Sequence, residues 1–570
     1  MRVLPVEPAI DKTFDYLVPD ELAGRVRVGT LVRVPLHGRR VGAWVVADAV
    51  RPPAGVQLRS IAKVTGWGPP PELFELAEWA AWRWAGRRAS MLRTASPDRA
   101  VGSLPAPAPV PAATEGVDPL AAEALAAGRA VLRLPPVADP LPLLRAAAAR
   151  GHTLVVTPSL AAATTLARRL HRSGVGVATL PGQWAQARAG TTVVGARTAA
   201  WAPVPEVAAV VVLDEHDEAH QQEQAPTWHA RDVAVERARR AGVPCVLVSP
   251  MPTLEALAWG RLVVPPRAEE RAGWPIVDIV DRRDEDPRRA GLYSERLVDH
   301  LRSHARVVCV LNRSGRSRLL ACHTCGALAR CERCAGTVVQ AADRMLECRV
   351  CGARRPVVCL ECGGSVLRNL RAGVSRVREE LEALAGEPVA EVTSATAGAP
   401  TPTTRVVVGT EAVLHRIDRA DVVAFLDFDQ ELLAPRYRAA EEALALVVLA
   451  GRLVGGRAER RGRVVVQTRL PDHEVVQAAL HADPARVTAA ERARRELLRF
   501  PPVAALAVVS GAAAPAFVAA LGTPEGVEVM GPADGRWLLR ADRHEPLLDA
   551  LARTPRPAGR LRVEVDPLRL

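Results

Sequence analysis

The chain has 570 residues, about half of them apolar, and a formal net charge of +12. At ~150 residues per domain this length suggests about three or four domains, and the apolar share excludes a largely disordered chain. The positive balance makes a polyanion such as nucleic acid the first candidate partner. Only Lys12 and Lys63 are lysine, however, and Ala is abundant, so the arginine excess also reflects coding bias and is weak support.

The first residues, MRVLPVEPAI, lack the basic and then apolar regions of a secretory signal, so a cytoplasmic location is expected. Residues 1 to about 62 read as short strands (RVLPVE, GTLVRVPL, VGAWVVADAV) divided by Gly, Pro and Asp. Residues 72–85 keep helical spacing at Leu73, Leu76, Ala77, Ala80 and Trp84, with Trp79 and Trp82 read as packing a small core. Residues 1–95 form the predicted first domain. The Pro/Ala-rich stretch 96–120 reads as an extended tether.

From 121 the pattern changes to alternating strands and helices. VLRL, TLVVTP, TTVVGA, AAVVVLDE and PCVLVSP form one series, and ARVVCVLN, TRVVVGT, DVVAFLDF and GRVVVQT a second. Each predicts a parallel sheet with crossover helices, placed at 121–265 and 275–470. The uncharged stretch 500–524 contains Ser510, Gly511 and Pro515. It reads as a strand, a turn and a helix within a C-terminal α+β domain over 471–570, and not as a membrane span.

Eight cysteines lie in four C-x-x-C pairs within the segment 318–366: Cys322/Cys325, Cys331/Cys334, Cys348/Cys351 and Cys359/Cys362. A C-x-x-C turn sets two sulfurs at adjacent corners of a tetrahedron, so two such pairs complete a four-thiolate site and eight cysteines suit two Zn2+. A four-thiolate ion has no open coordination position, so both ions are predicted to be structural. Gly326, Gly336, Gly352 and Gly363 follow the second cysteine of each pair, where a left-handed backbone aims amides at the sulfurs. In a reducing compartment such clusters hold metal more often than they form disulfides. Cys245 and Cys309 sit in apolar strands as inert core thiols, and His323 is expected at the surface.

Asp214 and Glu215 end an apolar strand, where helicase-type ATPases place a Mg2+-binding Asp and a water-orienting Glu. The partner motif would be a Gly-rich loop ending in Lys. The corresponding stretch, AVLRLPPVADPLPLLRAAA, has neither Gly nor Lys. Pro135 and Pro136 remove N–H donors, and Asp139 adds negative charge where phosphates would sit. ATP and Mg2+ are therefore not expected to bind in the phosphate-loop manner.

The order of these motifs resembles the PriA family of bacterial replication-restart helicases along nearly the whole chain. DKTFDYLVP resembles the start of the family's DNA 3′-end-binding domain, and VVGARTAAWAPVPEVAAVVVLDEHD its motif Ib to motif II segment. QQEQAPTWHARDVAVERA resembles its aromatic-rich loop, LNRSGRSRLLACHTCG the start of its zinc region, and PDHEVVQAAL, RFPPVAALAVVSG and VEVDP its C-terminal part. The resemblance implies two RecA-like lobes with the zinc region inserted in the second. The outer pairs (Cys322, Cys325, Cys359, Cys362) would share one zinc and the inner pairs (Cys331, Cys334, Cys348, Cys351) the other. A 3′-end pocket maps to Phe14, Asp15, Tyr16, Gly38 and Arg59, with Asp15 accepting from a terminal 3′-OH and Phe14 and Tyr16 flanking a base.

The chain departs from the family where ATP would act. Motif II keeps only the acidic pair Asp214-Glu215, motif III reads Ser249-Pro250-Met251, and motif V (GTEAVLHRID) lacks its usual core. Motif VI keeps Arg452, with Val448 where Gln is expected and LVGGR altering the position of the finger Arg. The winged-helix domain is missing, its place taken by the Pro/Ala tether. The resulting expectation is a nucleoid-associated primosome protein that binds forked, 3′-ended or single-stranded DNA and helps reload the replicative helicase at stalled forks without unwinding. Its family partners would be the single-stranded-DNA-binding protein and the primosome, with no membrane. Two readings stay open beside it: an active ATP-dependent 3′→5′ helicase with an unusual nucleotide site, and a zinc protein whose partner is RNA or something else.

Overall fold

The computed structural model describes the chain apart from residues 8–9, 53–54, 56, 113–115, 284–291, 312–319, 342–344, 349–350, 370–373, 394–395, 397–400 and 459–461. Much of the LNRSGRSRLL stretch, including position 318 at the start of the Cys-rich segment, lies outside the described residues.

The first unit is an antiparallel sheet of β1 (Arg2–Pro5), β2 (Phe14–Asp15), β3 (Thr30–Leu36), β4 (Arg39–Ala47) and β5 (Lys63–Trp67), in the order β2-β1-β4-β3-β5. Burial alternates along β3, so Thr30, Val32, Val34 and Leu36 point inward, as the period of two in a strand dictates. One face packs Val3, Tyr16, Val26, Val32, Val34, Ala43, Val45 and Ile61. Leu4 and Trp44 face the other way, against the helices Glu72–Arg83 and Arg88–Ala95.

The Pro/Ala segment has no regular structure over residues 101–112. It is nevertheless fastened to the surface and does not hang free. The Trp67 amide donates to the Val101 carbonyl (2.8 Å) and the Ala108 amide to Gly190 (2.8 Å). Gly176 makes room for it, since a Cβ there would stand 2.7 Å from that of Ala108.

The first lobe follows, a wholly parallel sheet of β6 (Arg129–Arg133), β7 (Thr153–Val156), β8 (Val177–Thr179), β9 (Thr192–Gly195), β10 (Ala209–Leu213), β11 (Cys245–Ser249) and β12 (Arg261–Val263), in the order β12-β6-β11-β10-β7-β9-β8. Its central strands are buried along their whole length, which is why they read as continuous apolar runs. In the second lobe β13 (Ile276–Asp281) and β14 (Val307–Val310) precede the Cys-rich module. That module carries β15 (Leu320–Cys322), β16 (Val338–Gln340), β17 (Met345–Cys348), β18 (Arg354–Pro356) and β19 (Leu367–Asn369). The lobe resumes with β20 (Val389–Val392), β21 (Val406–Gly409), β22 (Val422–Phe425) and β23 (Arg463–Thr468), closing a parallel sheet in the order β13-β23-β22-β14-β21-β20.

The C-terminal unit is an antiparallel sheet of β24 (Ala505–Ser510), β25 (Glu528–Ala533), β26 (Arg536–Ala541) and β27 (Arg562–Val565), with helices Ala514–Leu521 and His544–Arg553. The stretch 500–524 is thus the strand, turn and helix its sequence indicates. Phe517, Leu547 and Leu548 join the same core as Trp44, Trp84 and Trp201, so the two ends of the chain and the first lobe share one interior. Among the described residues no helix is long and apolar enough to cross a membrane.

Candidate functional site

At the candidate 3′-end pocket, β2 pairs with β1 so that Asp15 stands opposite Arg2 and Phe14 opposite Val3. Both Asp15 oxygens accept from Arg2, from Nε at 2.8 Å and Nη2 at 3.1 Å. These hydrogen bonds hold the Asp15 carboxyl below its ordinary value against the opposing effect of burial. Tyr16 is 5% exposed and its hydroxyl donates to the Pro35 carbonyl at 2.9 Å, so its ring belongs to the core. Phe14 is half-buried and packs against the edge of the same core. Arg59 is exposed, and its carbonyl accepts from the Leu17 amide at 3.0 Å, which places it beside the triplet. Gly38 (φ 77°) and His37 (φ 47°) form the two-residue turn between β3 and β4. Two positive φ values in succession define a type I′ hairpin turn, and nothing lies within 4 Å of a Cβ built on Gly38.

The cleft between the lobes is built on the loop after β6. Ala138 closes a turn onto the Pro135 carbonyl (3.0 Å), and Asp139 accepts from the Leu141 amide (3.0 Å) and from Arg169 (2.5 Å). The following helix, Leu141–Ala148, carries Pro within its first turn, so few N–H groups face the cleft. Anion sites at helix starts need those donors. Asp214, with φ 50°, ends β10 and accepts a two-pronged contact from Arg452: Nη1 to Oδ2 at 2.9 Å and Nη2 to Oδ1 at 2.5 Å. Burial pushes the Asp214 carboxyl up, but Arg452 outweighs it and the net direction is down. Glu215 turns inward. Its oxygens accept from the Thr253 amide (2.7 Å), the Thr253 hydroxyl (2.9 Å) and Arg231 (3.3 Å), and burial raises it overall. Ser249 bonds His216 Nδ1 at 2.8 Å. Arg457, the arginine of the LVGGR stretch, donates to the backbone at Pro275 (3.1 Å) and Leu480 (2.9 Å), away from Asp214.

What remains is a cavity of about 200 Å³ walled by Pro135, Pro136, Pro140, Pro250, Leu213 and Arg452. These residues do not fit Mg2+-ATP. The loop offers few amide donors and no ammonium, and a guanidinium occupies the carboxylate that a cation would need.

The cysteines converge as two groups, Cys322, Cys325, Cys359 and Cys362 in one and Cys331, Cys334, Cys348 and Cys351 in the other, with all sulfurs of a group within 4.8 Å of one another. The paired distances are 3.5 Å (Cys322–Cys362), 3.6 Å (Cys325–Cys359), 3.6 Å (Cys331–Cys351) and 3.5 Å (Cys334–Cys348). Thiolates ~2.3 Å from a shared ion would stand roughly 3.8 Å apart, so both groups fit a tetrahedral metal. The same turn recurs at each pair. The amide of the first cysteine donates to the carbonyl five residues on, at 2.8–2.9 Å in all four cases. The left-handed position is Gly326, Gly352 and Gly363 in three of the turns, but Ala335, and not Gly336, in the fourth. His323 is exposed, whereas Cys245 and Cys309 are buried with their thiols pushed up to about 12 by burial.

The sequence reading did not find the charges that tie the units together. Glu255 of the first lobe, Arg438 and Glu441 of the second, and Glu491 and Arg495 of the helix Ala485–Leu498 form one buried network. Arg83 of the first domain donates to Asp566 near the C-terminus at 2.6 Å, where His544 also bonds it, and Trp82 Nε1 donates to Asp549 at 3.0 Å. The partners lie up to 483 positions apart. Local spacing marks only Arg438–Glu441 and Glu491–Arg495, three and four residues apart; nothing local marks the partners that come from other elements.

Comparison with known proteins gives the family. Residues 3–97 match the family model of the PriA 3′DNA-binding domain (3′BD). A probable replication restart protein PriA of Mycobacterium tuberculosis is 30% identical over 89% of this chain and 85% of its own length. That of Mycobacterium leprae is 29% identical over 97% and 94% respectively. The PriA of Bacillus subtilis is 30% identical over 56% of this chain, a match spanning 43% of the Bacillus protein. On the first of these matches, carried over most of both chains, this chain belongs to the PriA family of replication restart proteins.

Proposed function

We propose that the chain works in replication restart as a DNA-binding scaffold, recognising forked, 3′-ended or single-stranded DNA without ATP-driven unwinding. The observation that carries the DNA half is the match of residues 3–97 to a 3′DNA-binding domain, with Asp15, Phe14 and Arg59 grouped at one edge of its sheet. The half without a motor rests on the cleft, where Arg452 takes both oxygens of Asp214 and prolines replace the phosphate cradle.

Two Zn2+ would fill the two four-cysteine groups and act as structural cross-links, since four thiolates leave no coordination position for substrate. Most of the folding energy of so small a module would come from the metal. By family resemblance the protein partners are the single-stranded-DNA-binding protein and the replicative helicase with its primosome, in a cytoplasmic, nucleoid-associated setting.

The test is ATP turnover by zinc-loaded protein with and without forked DNA, recording fork binding in the same samples. Fork binding that weakens steeply with salt, without turnover, is the expected result, because Arg–phosphate contacts release counterions. DNA-stimulated turnover abolished by Asp214→Ala would replace this reading with an active helicase.

A further inference from the structure

We infer that the two lobes are clamped shut by their own side chains, the Arg452 guanidinium standing where a nucleotide-driven motor would hold its metal and phosphates. In such a motor the ligand bridges the lobes, so closure follows binding and opening follows release. A ligand shifts that equilibrium only by its differential affinity for the two states. Here the bridge is covalently part of the chain.

The first clamp point is the end of the helix Ala439–Val454. Arg452 binds Asp214 through both terminal nitrogens, and its Nε donates to the Pro136 carbonyl at 3.2 Å, so a single residue of the second lobe grips a strand end and the loop of the first. A planar fork fixes both angle and distance, which a point charge does not. Beside it the two lobes touch. A Cβ on Gly451 would lie 3.7 Å from Pro136 Cβ, and one on Gly456 would lie 3.0 Å from Val137 Cγ2. The prolines that spoil a phosphate cradle thus form the seat for the second lobe.

The second clamp point is the buried network. Glu255 of the first lobe accepts from Arg438 of the second and from Arg495 (3.0 Å), whose side chain is 1% exposed and also meets Glu441 and Glu491. Opening the lobes would part Glu255 from both guanidiniums and break the ion pairs that it makes with them. The two points lie on different elements, so together they resist hinge rotation as well as separation.

The clamp rests on the cleft and not on the DNA-binding reading, and fork binding measured alongside separates the two. The experiment is amide hydrogen exchange by mass spectrometry on the full metal-loaded chain, following peptides 134–140 and 451–458, with 209–213 and 463–468 as internal controls for intact lobes. In the wild type the cleft peptides are expected to be protected equally with and without Mg2+-ATP. Arg452→Ala should speed their exchange roughly tenfold while the control strands stay protected. The exchanged pair Asp214→Arg with Arg452→Asp should restore protection. Asp214→Asn, which keeps the shape and loses the charge, gives a second reading should the alanine variant fold poorly. Wild-type cleft peptides that exchange freely, that respond to Mg2+-ATP, or that are unaffected by Arg452→Ala and Asp214→Asn would each overturn the clamp.

Discussion

Arg2 and Asp15 face each other across the first two strands, and both oxygens of the carboxylate accept from the guanidinium. A carboxylate has about four acceptor positions, so Asp15 held this way still has lone pairs for a terminal hydroxyl. Its side chain is 8% exposed and that of Arg2 40%, so the pair stands at the rim and not in the core. Asp15→Ala should lower affinity for a fork with a 3′-OH by about tenfold, the worth of one charge-assisted bond, and leave binding to a 3′-phosphate fork nearly unchanged. Fluorescence anisotropy on the two substrates reads the difference. Equal losses on both would make Asp15 a structural residue only.

Phe14 and Tyr16 should behave differently although they are two residues apart. Tyr16→Ala should destabilise the first domain by about 3–5 kcal/mol, because it empties a core position and removes a bond to Pro35. Phe14→Ala should cost less stability and about 1–3 kcal/mol of single-strand binding, the range for one base–aromatic stack. Thermal unfolding beside anisotropy separates the two roles.

Metal removal should act locally. Chelation, or Cys359→Ser, should unfold residues 320–367 while the two parallel sheets hold, since those sheets have cores of their own. Native mass spectrometry should give two zinc ions per chain, falling to one with Cys359→Ser. Exchange across the module reports its unfolding.

Arg495 is surrounded by Glu255, Glu441 and Glu491, with Arg438 the other cation of the group. Arg495→Ala should destabilise the protein by about 3–5 kcal/mol, because it strands buried carboxylates. Urea titration of the metal-loaded chain, followed by tryptophan emission, should show an earlier first transition. A transition within error of wild type would mean that water enters the network.

Acid should loosen the junction of the two chain ends. Burial pushes Asp232 and Asp566 up, but Arg231 outweighs it for Asp232 and brings it down to about 2. Arg83 and His544 do the same for Asp566, which ends well below the carboxylate range. A folded value below the unfolded one stabilises above the ordinary carboxylate range. That stability is lost as pH falls through the range and on towards the folded value. The contribution of these two carboxylates should therefore be constant near neutrality and fall by on the order of 1–2 kcal/mol per group between about pH 4 and pH 2. Asp566→Asn should flatten this acid limb in a pH series of thermal midpoints.

Local signals fixed a good deal. Valine-rich runs at 209–213, 406–409 and 463–466 are strands because β-branched residues buried on both faces suit a parallel sheet, and the C-x-x-C pairs gather into four-sulfur groups that fit a metal because two sulfurs three residues apart reach adjacent corners of a tetrahedron. The absence of Gly and Lys from the loop after Arg133 needs no coordinates, since those residues are the cradle. Tertiary structure alone decided where the charges went. No periodicity indicates that Arg452 meets Asp214, that Arg495 meets Glu255 and Glu441, or that Arg83 reaches Asp566, because a long charged side chain looks the same in sequence whether it faces water or a carboxylate brought in from a distant part of the chain. Hydrophobic pattern acts over neighbouring residues and is written locally. Ion pairs are settled by which surfaces the folded chain brings together.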